Sequence, residues 1–238
     1  MARVSNKSKK PVGTGNEVLE NPEALAEQLT KTEQFLEKNR ILVLSIGGVL
    51  ALAILGIFLF RYYITNQNSE AQELMFQAVY YYEADSLNSA LNGDGINLGF
   101  LDIINDYKMT DAANLAYFYA GTIYLKMGEF EEAIDHLKSF SSKDLVIQPR
   151  AYALIGDAYL ETENVNEAIK YYERAADYKS NEHISPQYLI KAAVAYESIG
   201  KLAEAEKSYK TIVEKYPKAA EIQTARKHLA RLEQLKTS

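Results

Sequence analysis

Three stretches of this chain set the same residue types at the same offsets, and a period of this length constrains a fold before any local propensity does. The first, residues 114 to 145, carries Tyr117, Ala120, Gly121, Tyr124, Gly128, Ala133, Leu137 and Phe140. Thirty-five residues later come Tyr152, Ile155, Gly156, Tyr159, Ala168, Tyr172 and Ala175. A further 37 on come Leu189, Ala192, Ala193, Tyr196, Gly200, Ala205, Tyr209 and Ile212, closing on Pro217. The spacing predicts two helices per copy. Gly121, Gly156 and Ala193 are small where the first helix must let the second approach, and Ala133, Ala168 and Ala205 answer them from the second. Tyr124, Tyr159 and Tyr196 fill the space between neighbouring pairs. Gly128 and Gly200 end first helices where a left-handed cap is convenient; the middle copy has Glu163-Asn164 there, and Asn164 is expected to take the left-handed conformation. One such pair cannot bury its apolar face alone, so the copies must stack.

These residues resemble tetratricopeptide repeats, whose pattern runs aromatic, large-small pair, Tyr, Ala, aromatic or Leu, Ala and Pro. The resemblance covers about 105 residues and implies an all-α solenoid, with repeats at 113–148, 149–185 and 186–219. The two extra residues before the third copy fall in the polar loop Lys179–His183. Residues 220–238 read as a capping helix, with Ile222, Ala225, Leu229, Leu232 and Leu235 inward and Arg226, Lys227, Arg231 and Glu233 outward. Residues 69–112 read as a degenerate repeat. Its first helix spans Ser69–Leu91 with Leu74, Ala78, Val79, Tyr82 and Leu87 on one stripe, its turn is Asn92–Gly95, and its second helix is Leu98–Tyr107.

From Ile41 to Phe60 the chain runs for twenty residues without a charge. At the helical rise that is about 30 Å, enough to cross the hydrocarbon core of a bilayer. A single transmembrane helix over 41–60 is expected. A cleaved signal peptide fits poorly, because Phe60-Arg61-Tyr62-Tyr63 follows instead of small residues. Residues 61–68 are a linker, either a hinge or a polar turn within one long helix. Lys and Arg resist translocation. Seven of them precede the span (Arg3, Lys7, Lys9, Lys10, Lys31, Lys38 and Arg40), whereas after Arg61 none occurs until Lys108. The expected topology is a cytoplasmic N-terminus in a bacterial inner membrane, with the repeats in the periplasm.

The 1–20 segment is small, basic and polar, as a disordered tail is. Residues 21–40 form an amphipathic juxtamembrane helix with Leu25, Leu29, Phe35 and Leu36 apolar. That helix either lies along the interface or docks a membrane partner through those four side chains.

Composition closes several routes to chemistry. The chain has no cysteine, so disulfides, thiolate metal sites and cysteine nucleophiles are out. Net charge is about +1 over residues 1–40 and about −7 over 61–238, which argues against a nucleic-acid partner. The histidines His136, His183 and His228 stand apart, no phosphate-binding loop follows a strand, and the acids Glu129, Glu131, Glu132 and Asp135 suit a helix start. No enzyme site, cofactor or small-molecule substrate is expected. What remains is a protein-binding groove, expected along the first helix of each repeat. Its residues are Leu115, Phe118, Thr122 and Leu125, then Arg150, Ala153, Asp157 and Leu160, then Gln187, Ile190, Val194 and Glu197. It is mostly apolar and suits a helix or an exposed apolar segment, unless the chain's own residues 69–91 cover it.

The layout as a whole, with the run Glu33-Gln34-Phe35-Leu36-Glu37-Lys38-Asn39 before the span and repeats after it, is similar to the YfgM family of ancillary Sec translocon subunits. That resemblance implies association with SecYEG and with a periplasmic chaperone of the PpiD type, and delivery of exported client proteins to periplasmic chaperones. The alternative is a scaffold subunit of another cell-envelope or secretion assembly. A mitochondrial import receptor also joins an anchor to repeats, but the cation-free stretch from Tyr62 to Tyr107 argues against it.

Overall fold

The computed structural model describes residues 22–237, so the expected tail over 1–20 lies outside the described residues. Among the described residues there are eleven helices and no strand. The chain divides into two compact units at Tyr62/Tyr63.

The first unit holds α1, Pro22–Lys38, and the beginning of α2, Arg40–Glu83. Asn39 between them scarcely interrupts the backbone ladder, since its N–H donates to Phe35 O at 3.0 Å and its O accepts from Val43 N at 2.9 Å. From Ile41 to Phe60 every side chain is exposed except the half-buried Val43. By length and composition, α2 is the one described helix apolar enough to cross a membrane. Residues 61–68, expected as a linker, are helical throughout. Thr65-Asn66-Gln67-Asn68 contains no Gly or Pro to break the ladder, and Ser69 Oγ donates back to Thr65 O at 3.2 Å.

The second unit begins with the rest of α2, followed by α3 (Leu87–Asn92) and α4 (Phe100–Asp106). The single helix expected over Ser69–Leu91 breaks at Ala84–Ser86, where Asp85 takes φ 56°. The buried stripe of α2 is Ala71, Met75 and Ala78, with Val79, Tyr82 and Leu87 packed beside it. Leu74 faces solvent, one residue off that i, i+4, i+7 line. In the expected turn, Asp94 accepts from Ile96 N, Asn97 N and the Tyr81 hydroxyl at 2.8, 2.6 and 2.6 Å. Those bonds, the Asn97 N–H foremost, hold its carboxyl well below the usual carboxylate range.

Three helix pairs follow: α5 (Asp111–Met127) with α6 (Phe130–Ser139), α7 (Ile147–Glu161) with α8 (Val165–Asp177), and α9 (Ser185–Ser198) with α10 (Leu202–Lys215). Thr110 caps α5, its Oγ1 accepting from Ala113 N at 3.1 Å. Each first helix ends in a left-handed residue: Gly128 at φ 83°, Glu163 at φ 59° and Gly200 at φ 73°. The middle cap is thus Glu163 and not Asn164, whose φ is −89°. The repeat register decides this, because Glu163 stands at the offset of both glycines and its neighbour must already close onto Tyr159 O, at 2.8 Å.

The small residues do what their spacing implies. Gly121, Gly156, Ala193, Ala133, Ala168 and Ala205 are all buried. Between the first two pairs Ile134, Leu137, Phe140 and Ile155 form one cluster, each such side chain contributing about 1.5–3 kcal/mol of apolar burial. The last helix, α11 (Ile222–Thr237), closes the stack with Ala225 and Leu232 against Ala193, Ala205, Tyr209 and Ile212. Leu235, expected inward, is 58% exposed. It lies about 60° around the helix from Leu232, off the contact stripe.

Candidate partner-binding surface

The expected groove residues separate into three groups. Thr122 and Ala153 are buried and present nothing; Thr122 donates to Phe118 O at 2.8 Å. Leu115, Phe118 and Leu125 are half-buried and pack into the cluster between the first two repeats, with the Phe118 ring 5.2 Å from that of Phe140. They are seam residues before they are groove residues, because α6 and α7 close over the side of α5 they project from. Arg150, Leu160, Gln187 and Val194 are exposed, and Ile190, Asp157 and Glu197 are half-buried. At the third repeat residues 69–91 do not cover this face, since Val194 is 50% exposed, whereas Leu115 in the first repeat packs against the cluster to which Ala71, Met75 and Ala78 belong.

The polar groups on the first helices bond to the chain itself in a repeating arrangement. Asp157 on α7 accepts from the Tyr172 hydroxyl on α8 at 2.6 Å and from Lys191 Nζ on α9 at 2.6 Å. Glu197 on α9 accepts from the Tyr209 hydroxyl on α10 at 2.8 Å and from Arg231 on α11. A carboxylate therefore ties the second helix of its own pair to the first helix of the next. Burial first, and then the Asp157 carboxylate, pushes the Tyr172 hydroxyl far above its ordinary value; burial and Glu197 do the same to Tyr209. In the first repeat Thr122 and Leu137 occupy the positions of Asp157 and Tyr172, and the arrangement is absent. The surface thus grades from apolar at the first repeat to internally neutralised charge at the second and third.

Sequence reasoning missed Lys191, Arg231 and the two hydroxyls. Their signal was present: Asp157 to Lys191 and Glu197 to Arg231 are both 34 residues apart, close to one repeat, which sets opposite charges on the same face of successive first helices.

His136 is packed between the Tyr117 and Tyr124 rings, 5.9 and 4.9 Å away, and its Nδ1 lies 2.9 Å from Glu132 O. Among the described residues no group of acids and histidines is set to hold a metal ion. On α1, Leu29, Phe35 and Leu36 are exposed, while the side chain of Leu25 lies outside the described residues.

The family model described as "Tetratricopeptide repeat" matches residues 118–188 and again residues 154–220. Over residues 118–220 the chain is similar to tetratricopeptide repeats. The two overlapping matches run across all three helix pairs and end just before α11. Tetratricopeptide repeats form a protein-interaction fold, which makes proteins the general class of partner. No curated protein matches the chain.

Proposed function

We propose that this chain is a single-pass membrane protein whose repeats bind other proteins outside the cytoplasm. Specifically, it is an ancillary subunit of the Sec translocon that links SecYEG to periplasmic chaperones of the PpiD type during export. The observation that carries the reading is the pairing in one chain of an uncharged helical stretch, Ile41–Phe60, exposed at every position but Val43, with a stack of helix pairs similar to tetratricopeptide repeats. The apolar stretch has no protein core around it. Its twenty residues match the bilayer in length, so lipid is the solvent that suits it. Cations crowd the N-terminal side of the span and are missing from residues 62–107, which favours an N-terminus in the cytoplasm. Leu29, Phe35 and Leu36 beside the membrane are the proposed contact with the channel, and Arg150, Leu160, Gln187 and Val194 the proposed contact with chaperones and clients.

Two experiments test this. The chain contains no cysteine, so single cysteines placed at Gln72 and Gln223 report sidedness without background. Both are expected to react with a membrane-impermeant maleimide in intact spheroplasts, and protection of either overturns the topology. Photocrosslinkers at Phe35, Leu160 and Val194 in intact membranes are expected to capture SecYEG from Phe35 and soluble-domain partners from the other two. Capture of a different envelope assembly with no Sec subunit would replace the translocon reading with the scaffold one.

A further inference from the structure

Away from the face carrying Asp157 and Glu197, a cavity of about 180 Å³ opens at the seam between the first two repeats. Its floor is apolar and sealed, built from Leu137, Phe140 and Ile155. Its rim carries two cations, Lys138 from α6 and Arg174 from α8, and no carboxylate lines it. That is anomalous in a chain of net charge −6.

Neither cation is held in an ion pair among the described residues. Lys138 Nζ donates to the Tyr159 hydroxyl at 2.8 Å and sits over the Tyr159 and Tyr171 rings. Arg174 stacks on the Tyr152 ring at 4.1 Å and makes no ion pair among the described residues. Of the acids near them, Glu173 accepts from the Tyr196 hydroxyl at 2.8 Å and Glu167 pairs with Lys170, while Asp135 and Asp177, one turn from Lys138 and Arg174 on their own helices, form no ion pair with them among the described residues and do not line the cavity. Tyrosine faces position both cations without cancelling their charge, which leaves the guanidinium N–H groups free for an incoming anion.

A third donor lies inside. Gln148 lines the cavity at 3% exposure, and its amide oxygen accepts the Ser142 backbone N–H. Only the oxygen can accept, so this bond fixes which way the amide points. The amide NH2 then has no partner among the described residues. Since no polar side-chain atom sealed from solvent lacks a partner, that NH2 is open to solvent, on a residue that lines this cavity.

We propose that this cavity binds a carboxylate-bearing residue of a partner polypeptide, with Arg174, Lys138 and the Gln148 amide on the carboxylate and the half-buried Tyr152 and Tyr171 rings beside its stem. Size selects the occupant. Drug-sized ligands and cofactors fill roughly 300–1,000 Å³, whereas this volume equals about six waters, the scale of one amino-acid residue. The inference rests on the reading of the repeats as a protein-binding module, but it concerns a different face and needs no intact partner to test.

The test uses the full chain in detergent micelles and ligand-observed saturation-transfer NMR. N-acetyl-L-leucine supplies a terminal carboxylate, N-acetyl-L-glutamic acid α-amide a side-chain one, and N-acetyl-L-leucinamide neither. At least one acid is expected to bind saturably at about millimolar concentration, as fragments of this size do, and the amide about tenfold more weakly. Binding of only the first or only the second acid identifies the source as a chain terminus or an acidic side chain. Arg174→Ala and Lys138→Gln are each expected to weaken binding about tenfold, and Lys207→Gln, at an exposed lysine on α10, to leave it unchanged. The proposal is overturned by equal binding of acid and amide, by indifference to both cation substitutions, or by no binding of either acid up to about 50 mM. Failure of the partner crosslinks from Leu160 and Val194 would leave this result standing, so the two readings fail separately.

Discussion

A β-carbon on Gly156 would lie 2.6 Å from Cε1 of Tyr172, a distance at which one of the two must move. The ring cannot, because Tyr172 is buried and its hydroxyl is tied to Asp157 on the very next residue of the same helix. Gly121 stands in the same relation to Leu137, 2.6 Å from its Cγ. Gly156→Ala is therefore expected to destabilise the repeats by about 1–3 kcal/mol through overpacking, and Gly121→Ala by at least as much, since its added carbon would also lie 3.0 Å from the Leu137 backbone N and 3.1 Å from Ala133 O, atoms that no rotamer change moves. Thermal unfolding in detergent followed by far-UV circular dichroism reads the difference, and a neutral Gly156→Ala would contradict the packing described.

Glu163 occupies a left-handed position that glycine fills in the other two repeats. Replacing it with glycine is expected to stabilise the second repeat by about 1 kcal/mol, as relief of the β-carbon penalty outweighs the added freedom of the unfolded chain. Gly200→Ala should do the opposite by a similar amount. Its cost comes from φ alone, since nothing lies within 4 Å of the added carbon. Opposite signs in the melting temperatures are the signature to look for.

Asp157 and Lys191 form one ion pair, yet the two residues are not equivalent. Lys191→Ala removes a partly exposed charge and is expected to cost at most about 1 kcal/mol. Asp157→Ala also strands the buried hydroxyl of Tyr172, and should cost about 1–3 kcal/mol more. Equal losses on denaturant titration would mean that the hydroxyl finds water and that the tie between repeats is weaker than its geometry.

The Tyr196 hydroxyl contributes to the alkaline limit of the fold. Burial, then the bond to Glu173, pushes its hydroxyl from 10.0 up to about 12. A value raised in the folded state means stability that is fully present below pH 10 and is lost as pH rises toward about 12. Tyr172 and Tyr209 are shifted the same way and steepen the loss. Melting temperature is expected to fall across that window, and Tyr196→Phe to flatten the fall. An unchanged slope in the variant would assign the alkaline loss to other groups.

Much of this molecule was legible before any coordinate. Recurrence of Tyr, Gly and Ala at 35 and 37 residues is a property of the chain, and it determined the helix pairs, their number and their small-residue contacts. The uncharged run Ile41–Phe60 likewise needs no neighbour to be recognised. What tertiary structure decided is which groups meet. Leu74 and Leu235 face solvent and Phe118 packs inward because burial at a helix position depends on where the adjacent helix lies, a matter of tens of degrees that periodicity does not resolve. The left-handed turn fell to Glu163, against local propensity, because the stack imposes one register on every repeat. The joining of Arg174, Lys138 and Gln148 around one cavity came from three different helices, and charges distant in sequence acquire a common partner only once those helices pack.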